Sequence, residues 1–269
     1  MTVLQAIVMG IVQGITEFLP VSSSGHIVIA EKLMHVDIEE DTLFILLLHI
    51  GTLAAVVYAM RREVAWLWRH PKSRITWMIL VALLPTAVVG AVCEEWFDNL
   101  FESGITIGFE FVITGVVLWW IDSVKSGTKT ESTITLSDSL WVGTFQGIAI
   151  LPALSRSGLT IAAGLWRGMD REAATRFSFL LSIPAILGAT LVKLDDVIEH
   201  KTAMLALPWG SMLLGTLAAA VAGYFGVKWT RWLVSNCRMR VFACYTWAVA
   251  AFVLYDQLIG HHWFPSLLG

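Results

Sequence analysis

The chain has 269 residues, of which 57% are hydrophobic and 14% charged, with a mean hydropathy of +0.72 and a formal net charge of −3. A soluble domain carries about 25% charged residues, so this surface cannot face water all round, and no polar faces recur at helical spacing to mark a soluble bundle. No Lys/Arg run offers a footprint for nucleic acid, and Cys93, Cys237 and Cys244 lack metal or redox spacing and read as packing residues.

In chain order, residues 4–18 are apolar but too short to cross a bilayer, and they end at Pro20 and a Ser/Gly turn that leads into 23–34. The first positive charge is Lys32, so the start of the chain reads without the basic region of a cleaved signal peptide. Segments 42–60, 75–93 and 105–121 follow, each near the roughly 17–25 residues that a crossing needs. A second short apolar piece, 140–150, again ends at a Pro and a turn, and 156–166 leads away from it. Segments 176–194, 207–227 and 239–259 complete six expected transmembrane helices. Trp66, Trp68, Trp96, Trp119, Trp120, Trp229 and Trp232 lie near span ends, where an interfacial belt would place them.

A shift of 133 residues brings the two halves into register. Gln13 meets Gln146, Gly14 meets Gly147, Gly25 meets Gly158, Ala30 meets Ala163 and Gly90 meets Gly223. Pro20 and Pro152 differ by one residue less, a slip that is recovered at Ser22 and Ser155. The chain therefore reads as one membrane domain, 1–269, holding repeat one at 1–125 and repeat two at 135–260. Cytoplasmic flanks carry excess Lys/Arg, and 61–74, 122–138, 167–176 and 228–240 hold 14 of the 18. Segments 94–104 and 195–206 hold only Lys201. Six spans fit this alternation, with both termini outside and the first span of each half starting on opposite sides. The short pieces fit it only as re-entrant hairpins. The expected fold is an all-α integral membrane protein with inverted-topology repeats, two re-entrant helical hairpins and six transmembrane helices.

Non-helical backbone at membrane depth survives where protein or water surrounds it, and broken helices in inverted repeats place binding sites near midplane. The two turns are written "GITEFLPVSSSGH" (14–26) and "GIAILPALSRSGL" (147–159). Where they agree they build a turn. Ser22–Ser24 and Ser155–Ser157 are good caps for the returning half-helices, whose N-termini then face one cavity as an anion site. Where they differ, one supplies Glu17, Ser23 and His26 and the other supplies Arg156. Arginine grips phosphate oxygens with a planar fork. Gln13 and Glu17, one helical turn apart, offer oxygen ligands suited to Mg²⁺ or Ca²⁺ beside substrate phosphates. Ser23 is a candidate nucleophile, with His26 three residues away as a candidate base. The set suits phosphoryl chemistry, with direct attack by water left open.

"QGITEFLPVSSSGH" and "PALSRSGLT" resemble the two signature motifs of the undecaprenyl-diphosphate phosphatase family of the bacitracin-resistance type, and the resemblance covers nearly the whole chain. It implies a metal-dependent enzyme of the inner (plasma) membrane, its site open to the outer face, that removes the terminal phosphate of a polyprenyl diphosphate. By position, Gln13 and Glu17 fall on the family's Glu/Gln-x-x-x-Glu motif, Ser23 and His26 on its serine and histidine, and Ser155, Arg156, Ser157 and Thr160 on its arginine motif. Ser22, Ser24, Gly25 and Gly158 complete the expected substrate-binding turns. Two departures stand out: Gln13 is the neutral choice at the first acidic position, and Ala153 stands where the family usually has Gly. The expected partners are the lipid substrate and the bilayer, with a homodimer left open and no nucleic acid. The rival reading is a polyprenyl-phosphate flippase that hydrolyses nothing, because inverted repeats around an anion site are also transporter architecture.

Overall fold

Four of the helices begin where a side chain holds their first amides, and these four build the two turns. Thr2 and Gln5 form a reciprocal capping box at the start of α1 (Val3–Phe18), which stops at Leu19 because Pro20 brings no backbone N–H to continue it. Ser22 caps α2 (Ser23–Met34), and His35 closes it in the left-handed region with φ 49°. α3 (Thr42–Ala59) breaks at Met60, and α4 (Arg61–Arg69) leaves it at 79°. α5 (Arg74–Ser103) and α6 (Ile107–Asp122) close the first half. A linker with a 3₁₀ turn (Glu131–Thr133) leads to a second capping box, Thr135 and Asp138, which starts α7 (Leu136–Ile148). Ser155 caps α8 (Arg156–Trp166), and α9 (Arg171–Glu199), α10 (Trp209–Asn236) and α11 (Arg240–Tyr255) follow.

The computed structural model describes residues 1–36, 42–199 and 208–267, with backbone alone for Thr42, most of 94–103 and 195–199. The acidic side chains expected outside the membrane at Glu94, Glu95, Asp98 and Glu102, and Lys201 of the 195–206 segment, lie outside the described residues. Among the described residues no strand forms; Lys129 and Met169 make one isolated bridge.

Among the described residues four helices are long and apolar enough to cross a bilayer (Arg74–Cys93, Arg171–Leu194, Trp209–Asn236 and Arg240–Gly260), and five if α3 and the bent α4 count as one span. The protein is a helical, multi-pass membrane protein. The expected span 105–121 forms as α6, which has 16 residues and so falls just short of the usual length. The apolar windows found only the part of each helix that hydrocarbon would cover. α5 and α10 run on past their expected ends, 93 and 227, to Ser103 and Asn236, and α9 extends past both of its expected ends, 176 and 194, to Arg171 and Glu199. α7 starts four residues before the expected 140 because the Thr135–Asp138 box extends it.

The 133-residue register reappears in the helix bounds. Val3 and Leu136, Ser23 and Arg156, and Ile107 and Arg240 are corresponding first residues, and α6 and α11 also end in register. Packing follows suit: α1 lies on α10 and α7 on α5, so each half's leading helix docks on the other half. These contacts are backbone-close. A Cβ on Gly10 would stand 2.1 Å from the Gly215 carbonyl oxygen, and one on Gly143 would stand 2.0 Å from that of Ala82. The outward stripes also correspond, with Leu80, Leu84 and Val88 on α5 and Leu213, Leu217 and Val221 on α10, all exposed. All seven Trp expected in the belt are exposed as well. The largest apolar core, which includes Phe18, Leu118, Phe177, Phe179 and Leu181, fills the space between the halves.

Candidate active site

The two turns meet in the middle of the bundle and are latched to each other. Ser24 Oγ donates to the Pro152 carbonyl, and Ser157 Oγ donates to the Leu19 carbonyl at 2.8 Å. Donors and acceptors of this pair are in the 133-residue register, so the latch has the symmetry of the repeat. Ser22 and Ser155 spend their oxygens on the caps, accepting from Gly25 N–H at 3.3 Å and Gly158 N–H at 3.1 Å. Ser22 does so with φ 72°, a conformation costing a serine on the order of 1–3 kcal/mol.

Between the latches sits one carboxylate with three donors. Glu17 Oε1 accepts from Arg156 Nη2 at 2.7 Å; Oε2 accepts from Ser23 Oγ at 2.6 Å and from Gln13 Nε2 at 3.0 Å. α1 carries Gln13 and Glu17 on one face, α2 presents Ser23 as its first residue, and α8 presents Arg156 as its first residue. Glu17 and Gln13 are buried, and the Arg156 side chain keeps 19% of its surface. The arrangement is an ion pair at a helix–turn junction, with an alcohol held against the anion. A hydroxyl bonded to a carboxylate is the geometry of a nucleophile and its base.

Ser23 Oγ donates its hydrogen bond to Glu17 Oε2, while the ring of His26, the expected candidate base, bonds elsewhere. His26 Nδ1 turns back one helical turn to the Ser22 carbonyl at 2.5 Å, and Nε2 meets Tyr245 Oη at 2.7 Å. Because the Ser22 carbonyl can only accept, Nδ1 carries the proton in the neutral ring and Nε2 accepts from Tyr245. The ring stacks on Tyr245 at 5.6 Å and meets the edge of Phe111 at 5.3 Å. Of the hydroxyls expected to touch phosphate, Ser22, Ser24, Ser155 and Ser157 hold the turns. Thr160 is buried against the Arg156 carbonyl (2.8 Å) and Ser178 (2.6 Å).

Three residues at the site were passed over in the sequence. Glu110 and Thr114 on α6 accept from the N–H groups of Ala153 and Ser155, and Tyr245 on α11 holds His26. Glu110 had a legible signal, a lone acid inside the apolar stretch 105–121, where ionisable groups are functional by default. Tyr245 had none.

Behind the second turn, Asp138 ties the hairpin together. Its carboxylate accepts from Lys129 Nζ at 2.9 and 3.0 Å, from Arg167 Nε at 2.8 Å and from Thr135 N–H at 3.0 Å. Burial alone would push this carboxyl up; the bonds from Lys129, Thr135 and Arg167 outweigh it and hold it down at about 2.

Against known proteins, the family profile described as "Bacitracin resistance protein BacA" matches residues 6–252. The chain belongs to the BacA family. It is 41% identical over 256 residues to "Undecaprenyl-diphosphatase" of Carboxydothermus hydrogenoformans, covering 95% of this chain and 98% of that protein. It is 42% identical over 255 residues to "Undecaprenyl-diphosphatase 3" of Bacillus cereus, covering 94% and 97%. It is 39% identical over 281 residues to "Undecaprenyl-diphosphatase" of Methanobrevibacter smithii, covering 96% and 99%.

For a divalent cation, this BacA chain offers a sparse donor set. Among the described residues no group of three or more His, Cys, Asp or Glu side chains converges on one point. Glu17 contributes the carboxylate that meets Arg156 and Ser23, with the Gln13 amide beside it. That set fits a hard cation that completes its shell with substrate phosphate oxygens; it does not make a cage that would hold one alone.

Proposed function

We propose that the chain is a membrane phosphatase that hydrolyses undecaprenyl (polyprenyl) diphosphate to the monophosphate and inorganic phosphate, recycling the lipid carrier for cell-wall glycan synthesis. The observation that carries this reading is the Ser23–Glu17–Arg156 contact, at 2.6 and 2.7 Å, inside a chain similar along its length to proteins named undecaprenyl-diphosphatase. A carrier that only moved the lipid would have no use for an alcohol held on a carboxylate beside the phosphate, so hydrolysis is favoured over flipping.

In the mechanism, the diphosphate takes Arg156 from Glu17 and receives its planar fork on two oxygens. The freed carboxylate accepts the Ser23 proton as Oγ attacks the terminal phosphorus in line. The Oγ–P bond forms, the bridging P–O bond breaks, and polyprenyl phosphate leaves with the proton from Glu17. Glu17 then deprotonates a water that attacks the phosphoserine, releasing inorganic phosphate and restoring the Ser23 hydroxyl. Gln13 and Glu17 would hold Mg²⁺ or Ca²⁺ together with the substrate, and the ion would supply charge neutralisation at the phosphate oxygens. His26, fixed by Ser22 and Tyr245, lines the first turn and borders the head group.

In topology, we place α1–α2 and α7–α8 as re-entrant hairpins of two inverted repeats, 1–125 and 135–260, with six crossings in the plasma membrane and the site open to the outer face. Support comes from the concentration of 14 of 18 Lys/Arg in alternate segments. It comes also from α6, the short helix, whose counterpart α11 is long enough once its closing π turn (Asp256–Gly260) is added.

The deciding experiment incubates purified protein in lipid vesicles with terminally labelled undecaprenyl diphosphate, scoring phosphate release and lipid flip separately. Wild type should release phosphate and pass through an acid-stable phosphoserine that Ser23→Ala cannot form. Full turnover in Ser23→Ala would remove the serine from the mechanism. Flip without release would establish the carrier instead.

A further inference from the structure

Glu110 and Thr114 lie one turn apart on α6, both buried, and both aim at the backbone of the second turn. Glu110 Oε2 takes the Ala153 N–H, Thr114 Oγ1 takes the Ser155 N–H at 3.2 Å, and Ser24 takes the Pro152 carbonyl between the halves. The turn that launches Arg156 is therefore gripped at three backbone groups between Pro152 and Ser155. None of these grips involves the guanidinium, whose bond goes to Glu17.

Among the described residues the first turn has no such brace, and the register says why. Ala153 corresponds to Pro20, which has no N–H to satisfy. Because the proline of the second turn sits one residue earlier, at 152, Ala153 brings an amide into the buried interior that must find an acceptor. The positions on α11 corresponding to Glu110 and Thr114 are Ala243 and Trp247, which offer no side-chain acceptor. An amide or hydroxyl could accept this bond at a smaller cost of burial than a carboxylate. The bond from Ala153 N–H to Glu110 ties down the backbone of the turn that carries Arg156.

We propose that Glu110 is a positioning residue for the phosphatase reaction: with Thr114 it fixes the second turn so that Arg156 delivers its fork to the diphosphate. The proposal rests on the diphosphatase reading. Glu110 touches no reacting atom and acts through Arg156.

The test uses the full chain in detergent, with undecaprenyl diphosphate varied and rates normalised to the folded fraction measured by size exclusion. Glu110→Ala should lower kcat/KM by about tenfold to a hundredfold, with much of the change in KM, as expected for a displaced phosphate ligand. Glu110→Gln, which keeps an acceptor oxygen, should recover most of the loss, and Thr114→Ser should match wild type where Thr114→Val falls short. Combined with Arg156→Ala, Glu110→Ala should add little, since its effect passes through the missing side chain. If Glu110→Ala yields no folded protein, Thr114→Val carries the same KM signature. Wild-type kcat/KM per folded molecule in Glu110→Ala, or in Thr114→Val, would overturn the proposal. So would a loss that Glu110→Gln fails to relieve. A wild type that releases no phosphate would overturn the diphosphatase reading itself, a result seen before any variant is compared.

Discussion

The two hairpins share a skeleton and differ in how it is stiffened. Thr2 and Thr135 start them, Ser22 and Ser155 cap their second halves, and Ser24 and Ser157 latch them together. At the outer end of α1–α2, Gln5 reaches the Met34 carbonyl with one amide bond at 3.3 Å. At the corresponding place in α7–α8, Asp138 gathers Lys129 and Arg167 at 2.8–3.0 Å. The first turn tolerates a strained Ser22, whereas the second is gripped by α6. The hairpin with the acid and the alcohol is the lightly held one; the hairpin with the guanidinium is clamped at both ends. A carboxylate and a hydroxyl can find each other by local rotation. A planar fork gains its advantage only if its base is fixed.

Three experiments sharpen or break that contrast. The largest effect should come from Arg156→Lys, which keeps the charge and discards the fork. It should fail nearly as badly as Arg156→Ala, losing about a hundredfold in kcat/KM, on the order of 3 kcal/mol. Near-normal turnover by the lysine variant would mean that the rigid hairpin supplies only diffuse positive potential. Next comes Asp138→Asn. The folded-state carboxyl at about 2 lies below the ordinary aspartate value of 3.8, so its stabilising contribution is full above the higher value and disappears as pH falls through the lower one. Lys129 and Arg167 keep 33% and 37% of their surface, so solvent screens part of it, leaving about 1–2 kcal/mol. Unfolding midpoints in detergent should drop between about pH 4 and 2 in wild type more than in Asp138→Asn; parallel curves would remove the clamp. The smallest effect belongs to the shared skeleton. Ser24→Ala and Ser157→Ala should each destabilise by about 1 kcal/mol, equally, in chemical unfolding. A marked inequality would show that the latch is not symmetric in energy.

Much of this was legible in the sequence, for local reasons. The half-helices 23–34 and 156–166 are found at those bounds because serine caps and prolines are written into them. Pairing of Glu17 with Arg156 was readable as complementary charge at matched turns. The partner of Ser23 was not, because the direction of its side chain and that of His26 depend on Ser22 adopting a positive φ, which no residue type announces. The brace by Glu110 needed the fold: only packing of α6 across the second turn brings residues 43 positions apart together. The end of the span at 60 was legible because charge resumes at Arg61 and Arg62; that 61–69 forms a helix bent at 79° to the span was not.

The docking of Gly10 on Gly215 also has a consequence for biosynthesis. At about 5–20 residues per second, the ribosome takes on the order of ten to forty seconds to deliver the partner of a glycine made at the outset. Throughout that interval α1–α2, with Gln13, Glu17 and Ser23 already in place, must wait at the translocon or the bilayer surface without the helix that buries its backbone. Insertion factors that shelter short helical hairpins should therefore limit the yield of this protein, and a truncated first half should accumulate with them instead of entering the membrane.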